Sequence, residues 1–220
     1  MKRVSPGFAS TSISSCSTPF AYTCSYVPIE LLHAAGYLPQ RFIGRTDLCL
    51  SSGSTLSGNV CPYVHSILQM WHDRKSEFGG IVIADSCDAM KSLHHVLSLE
   101  DGAEASRGLF FLSPPRLVNE DSLRYYAKQL RSLFTALIKT DPSGSQRKIE
   151  ASIHLYDHIR ASIEEIRTSI ASPSEHYFTC LKQRLYNEDP VTILEEIESI
   201  RNKPYAEEFV HTGTIDIAVI

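Results

Sequence analysis

Residues 79–88, GGIVIADSCD, combine a four-residue apolar run with a polar turn that contains a cysteine. An unbroken apolar run after glycines is typical of a strand that is buried on both faces of a parallel sheet. The residues that follow carry Met90, Leu93 and Leu97 at helical spacing. The stretch therefore predicts a β-strand that leads directly into a helix, which is the repeating unit of α/β proteins.

Further segments on either side extend this pattern. Residues 28–36 predict a short helix, and Pro62 opens a second helix, since proline suits the first helical position. Residues 41–44 and 108–112 are short apolar runs that predict two more strands. Strands that alternate with helices indicate an α/β fold with a mainly parallel sheet.

The rest of the chain has a different character. Apolar residues recur at helical spacing through residues 117–208, where we expect four packed helices. Residues 1–18 are rich in serine and predict a mobile lead, and residues 46–59 predict a loop. Residues 209–220 end in an alternating pattern that predicts one more strand.

Composition excludes several classes of function. The chain has 220 residues with a net charge of −4, and its basic residues are scattered, so it does not resemble a nucleic-acid binder. No stretch approaches the roughly 18–20 consecutive apolar residues of a membrane span. The serine-rich start lacks the apolar run of a secretory signal, so we expect a cytoplasmic protein that binds neither nucleic acid nor membrane.

Three of the six cysteines occupy similar positions in the predicted fold. Cys24 precedes the first predicted helix, Cys61 precedes Pro62, and Cys87 lies between a strand and a helix. Strand-to-helix junctions of a parallel sheet converge on one edge, so these residues can meet there. A helix N-terminus carries unpaired N–H groups and a partial positive charge, which favours thiolates and an anionic metal–thiolate site.

Spacing alone leaves several interpretations open. Cysteines at scattered positions are often small buried hydrophobic residues. Structural zinc normally takes four Cys or His ligands, and His33 and His65 are near enough in sequence to complete such a set. Three thiolates with an open fourth position instead suit a reactive 4Fe–4S cluster.

Three motifs resemble the 2-hydroxyacyl-CoA dehydratase family, which includes benzoyl-CoA reductase subunits and double-cubane cluster proteins. The segment YTCSYVPIELLHAAGYLPQR at residues 22–41 is similar to the opening motif of that family. The segments CPYVHS at 61–66 and IADSCDAMKSL at 83–93 are similar to its second and third cysteine motifs. The resemblance covers about residues 20–205 of the sequence.

The resemblance implies that Cys24, Cys61 and Cys87 bind a 4Fe–4S cluster as its metal and cofactor ligands. It also implies a role in anaerobic metabolism. The cluster would pass one electron to an acyl-CoA thioester and form a ketyl radical. The loss of water from this radical would be a lyase reaction. A second dehydratase-type subunit and an ATP-dependent activator are the implied partners. The reductase relatives retain the electron and reduce their substrate.

The resemblance also implies a division of the chain. Residues 1–116 would be a Rossmann- or flavodoxin-like iron–sulfur domain, residues 117–208 a helical region, and residues 209–220 the first strand of a second α/β domain that is missing. Because family chains are longer, independent activity is not expected. Two alternatives follow, a non-catalytic iron–sulfur module for electron transfer or interaction, and a degenerate domain that binds zinc or nothing.

Overall fold

The computed structural model describes residues 18–45, 56–100, 108–138, 145–169 and 175–202. The strands in these ranges are β1 (Thr18–Tyr22), β2 (Tyr37–Arg41), β3 (Ile81–Ala84) and β4 (Leu109–Leu112). The α-helices are α1 (Ile29–Ala34), α2 (Pro62–Arg74), α3 (Asp88–Glu100), α4 (Glu120–Leu137), α5 (Ser145–Ser169), α6 (Glu175–Leu185) and α7 (Pro190–Asn202). No helix in these ranges has the length and apolarity to cross a bilayer.

The four strands form one parallel sheet in the order β2-β1-β3-β4. Tyr22 in β1 is in register with Arg41 on one side and with Val82 on the other. Ala84 at the end of β3 is in register with Leu112 at the end of β4. The prediction of an α/β fold with a mainly parallel sheet is therefore confirmed.

Helices cover both faces of the sheet, which explains the apolar run in β3. Ile81 and Ile83 belong to a core with α2 and α3, whereas Val82 and Ala84 belong to a second core with α1 and α4 to α7. Neighbouring side chains of a strand point to opposite faces, so each residue of β3 must be apolar. All four are fully buried.

The four later helices lie on the same face as α1. Leu133 of α4, Leu155 and Ile159 of α5 and Ile193 of α7 are buried in the core that also contains Val82. The helix α5 packs along α1 and also contacts α7. The helices predicted between residues 117 and 208 are thus present, and they extend the layer that α1 begins.

The positions of the first two strands differ from the sequence prediction. The strand predicted at residues 41–44 is wrong in position, since β2 ends at Arg41 and contains Pro39. An edge strand tolerates the missing N–H of proline, and β2 lies at the edge of the sheet. The strand β1 was not predicted, because its buried part is only three residues long and shows no periodic pattern.

Some expectations lie outside the described residues. They concern the mobile lead up to residue 17, the part of the predicted loop at residues 46–55 and the strand predicted at residues 209–220. Cys16 and Cys49 fall in the first two of these segments.

Candidate functional site at the carboxyl edge of the sheet

Successive strands are added to the sheet first on one side of β1, as β2, and then on its other side, as β3 and β4. The chain leaves β1 towards β2 through α1, and it then returns past β1 to β3 through α2 on the opposite face. Right-handed crossovers place the connecting helices on opposite faces when strands are added on both sides of a first strand in this way. Beyond the carboxyl ends of two such strands lies the crevice in which open α/β sheets bind their ligands.

Cys24 and Cys87 follow the two strands that flank this crevice. Cys24 comes two residues after β1, and its carbonyl accepts a hydrogen bond of 3.0 Å from the N–H of Val27. Cys87 comes three residues after β3, and its carbonyl accepts the first hydrogen bond of α3, from Met90, at 3.1 Å. Cys24 is half-buried against the core and Cys87 is exposed. Both thiols are free.

Cys61 is the N-cap residue of α2 and its thiol is free and exposed. Its carbonyl accepts hydrogen bonds from the N–H groups of Val64 (2.9 Å) and His65 (3.3 Å), and Pro62 occupies the first helical position. Cys61 and Cys87 thus occupy the starts of α2 and α3, where unpaired N–H groups favour a thiolate, and Cys24 begins the turn that precedes α1.

The start of α2 is held against the segment that follows β2. The hydroxyl of Tyr63 donates a hydrogen bond of 3.3 Å to the carbonyl of Phe42, and the N–H of Arg45 donates one of 2.8 Å to Ser66 Oγ. Gly44 permits this approach, since a Cβ there would lie only 2.6 Å from Tyr63 Cδ2. The carboxyl end of β2 and Cys61 are therefore on the same side of the sheet.

The phenol of Tyr63 lies at the start of α2, two residues after Cys61. Burial raises the pKa of Tyr63, the charge of Arg41 opposes that shift, and electrostatic repulsion from Cys24 and Cys61 adds to it. A hydrogen bond with the backbone of Gly44 lowers the pKa.

Three buried polar atoms at the same edge have no hydrogen-bond partner in the described part of the chain. They are Thr23 Oγ1, Arg41 Nε and Asp85 Oδ1, and each lies in the last residue of a strand or in the residue after it. Asp85 Oδ1 is 3.5 Å from Lys91 Nζ and 3.8 Å from Arg116 Nη2. Buried polar atoms are normally paired, so Thr23 Oγ1 and Arg41 Nε are available to a ligand at this edge.

Sequence reasoning did not identify Thr23 or Asp85 as notable. Both residues lie within the motifs that carry the cysteines, but nothing in their type marks them. Their burial without a hydrogen-bond partner is a property of the tertiary structure.

The three cysteines supply donors of the type that an iron–sulfur cluster uses. Among the described residues, no group of three His, Cys, Asp or Glu side chains is close enough together to hold one metal ion.

The two histidines of the zinc hypothesis have other partners. His33 is buried and its Nδ1 is 2.9 Å from Ser152 Oγ, while His65 Nε2 is 3.2 Å from the carbonyl of Ser57. Cys180 lies half-buried within α6, away from any helix start. The arrangement as a whole is that of an α/β domain with cysteines in the segments around its topological switch point.

Comparison with known proteins identifies the family. The family model of the 2-hydroxyglutaryl-CoA dehydratase D-component matches residues 24–208, so the match begins at Cys24 itself. The chain belongs to this family. It is also similar to a benzoyl-CoA reductase polypeptide of Thauera aromatica, with 25% identity over 154 residues. That match covers 66% of this chain and 38% of the reductase polypeptide, so the chain spans less than half the length of this relative.

Proposed function

We propose that this chain is the iron–sulfur component of an acyl-CoA dehydratase and that Cys24, Cys61 and Cys87 hold a 4Fe–4S cluster. The observation that carries the proposal is the position of the three cysteines on the carboxyl side of one parallel sheet, with Cys61 and Cys87 at helix starts and Cys24 in the turn after β1. The membership in the dehydratase family supports the same function. When bound, such a cluster supplies one electron to the thioester carbonyl of the substrate.

The chain's own residues have defined tasks in this proposal. The three thiolates hold the cluster at the crevice, and the helix starts stabilise their negative charge. The contact of Tyr63 with Phe42 fixes the start of α2, and with it Cys61, relative to β2. The cluster carries the difficult chemistry, whereas the protein binds, orients and shields it.

A partner subunit is part of the proposal. Cys61 and Cys87 are exposed in this chain, so a cluster at this edge faces solvent. Radical chemistry on an acyl-CoA requires the exclusion of water, which a second dehydratase-type subunit would provide. An ATP-dependent activator would deliver the electron, and we place the complex in the cytoplasm.

A second function is favoured by the same exposure. A solvent-facing cluster suits a non-catalytic electron-transfer module, which needs only an accessible edge. The similarity to the benzoyl-CoA reductase polypeptide also keeps a reductase of that type open. An acyl-CoA turnover assay of the chain with its partner and activator separates the three functions. Dehydration indicates the dehydratase, reduction indicates the reductase, and no turnover indicates the electron-transfer module.

The ligand assignment predicts which cysteines matter for iron binding. After anaerobic reconstitution, Cys61→Ser should lose most of the bound iron, because an alcohol is a poor ligand for an iron–sulfur cluster. Cys24→Ser and Cys87→Ser should behave in the same way, while the matched control Cys180→Ser should keep the wild-type iron content. An equal iron content in Cys61→Ser and Cys180→Ser would refute the assignment.

A further inference from the structure

The guanidinium of Arg41 lacks an anion in the structure. Arg41 is the last residue of β2 and its side chain is half-buried. Within the described ranges, no carboxylate lies within 4.0 Å of it, and its buried Nε has no hydrogen-bond acceptor. Other arginines do have partners, since Arg160 contacts Glu30 and Arg184 contacts two glutamates.

A cation that is partly removed from water without an anion is unfavourable, because hydration is lost and no opposite charge replaces it. The ring of Tyr186, with its centroid 5.8 Å from Arg41 Cζ, compensates for part of this cost. The guanidinium cannot avoid the cost by losing its proton, since arginine stays charged in proteins. The position thus retains a positive charge that an anionic ligand would neutralise.

Arg41 stands beside the cysteine ligands. It pairs in register with Tyr22, two residues before Cys24. The carbonyl of the residue after Arg41 accepts a hydrogen bond of 3.3 Å from the hydroxyl of Tyr63, two residues after Cys61. The end of β2 that carries Arg41 is therefore held beside both the segment of Cys24 and the start of α2.

We infer that Arg41 is the counter-charge of the thiolate-bound cluster and sets its reduction potential. The inference rests on the proposed function. Three thiolates give the cluster a negative charge that increases when one electron is added from an external reductant, and no bond of the chain forms or breaks. A fixed cation nearby stabilises the more negative state and so raises the reduction potential.

Three variants test the inference. Arg41→Met removes the charge and keeps most of the apolar length, Arg41→Lys restores a charge, and Arg45→Met is the matched control. Arg45 lies four residues further along in the same segment and is exposed, whereas Arg41 is half-buried.

The first measurement is an anaerobic redox titration of the reconstituted cluster with dithionite. We expect a more negative midpoint potential for Arg41→Met, a smaller shift for Arg41→Lys and no shift for Arg45→Met. The second is thermal unfolding of the metal-free proteins. Metal-free Arg41→Met should unfold at the wild-type temperature or above it, because the substitution removes an uncompensated charge.

Two outcomes would overturn the role of Arg41 and leave the proposed function unaffected. One is an unchanged potential in an Arg41→Met protein that holds the cluster. The other is a lower unfolding temperature of metal-free Arg41→Met, which would mean that the guanidinium mainly packs on Tyr186. A wild-type protein that takes up no iron would instead overturn the proposed function, and this inference with it.

Discussion

At the scale of single residues, a buried pair of hydrogen bonds joins α1 to α5. Ser152 Oγ donates to the carbonyl of Glu30 at 2.8 Å and lies 2.9 Å from His33 Nδ1. Since the single hydroxyl proton is used on the carbonyl, the Nδ1–H of His33 is the donor to Ser152. The imidazole ring also packs edge-on against Tyr156, with ring centroids 5.5 Å apart. His33 is therefore a structural residue of the helical layer.

Burial of His33 makes the stability of the fold depend on pH. Burial lowers the pKa of His33 below its usual 6.5, and the charges of Asp189 and Glu30 oppose this shift. The unfolded chain therefore binds a proton more readily, and stability falls as the pH drops below about 6.5 towards the folded-state value. Urea unfolding should show a smaller loss between about pH 8 and about pH 5 for His33→Gln than for wild type.

The exposed His154 supplies the control for this prediction. His154→Gln should keep the wild-type pH dependence. At about pH 8, His33→Gln should itself be less stable by about 1–3 kcal/mol, because Ser152 loses a buried partner. An identical pH dependence of stability in His33→Gln and wild type would show that His33 is not the titrating group.

The three cysteines could be predicted as candidate ligands from the sequence because their signal is local. Each precedes a helix start that proline or apolar spacing marks, and the topology predicts that such starts lie at one edge of the sheet. The buried atoms of Thr23 and Arg41 that lack a hydrogen bond, and the ion pairs of Asp85, could not be predicted. Whether a buried polar atom has a hydrogen-bond partner depends on its tertiary contacts with residues distant in sequence, and a local sequence pattern does not indicate these contacts.

At the scale of elements, glycines set the spacing at the start of β3 and β4. A Cβ on Gly80 would lie 2.3 Å from the carbonyl oxygen of Gly108 and 2.7 Å from its Cα. Gly80→Ala should therefore destabilise the protein by about 1–3 kcal/mol, the usual cost of overpacking. Denaturant unfolding measures this change.

Gly58 provides the comparison, since a Cβ there would meet nothing within 4 Å. Gly58→Ala should change the stability by no more than about 0.5 kcal/mol. Equal effects of the two substitutions would contradict the close approach of the two strand starts.

The predictability of the strands depends on their burial. All four residues of β3 are buried, so their apolar run is a strong signal. The edge strand β2 contains Pro39 and two half-buried polar residues, Gln40 and Arg41, and its pattern is weak for that reason. The sequence-based position of β2 was shifted towards the apolar residues Phe42 and Ile43, which follow the strand.

At the scale of the whole molecule, the two faces of the sheet have different tasks. The face with α1 and α4 to α7 forms the larger core. The face with α2 and α3 carries two of the cysteines at its helix starts. Cys24 approaches from the first face and Cys61 and Cys87 from the second, so the proposed cluster would join both layers at the switch point.

The most direct test of this account is the iron and sulfide content of the wild-type chain. The protein should be purified and reconstituted without oxygen, with iron, acid-labile sulfide and zinc measured for each chain. A 4Fe–4S cluster on these cysteines predicts a brown protein with about four irons and about four sulfides per chain. A colourless protein that retains no iron, or one that binds zinc without sulfide, would contradict it.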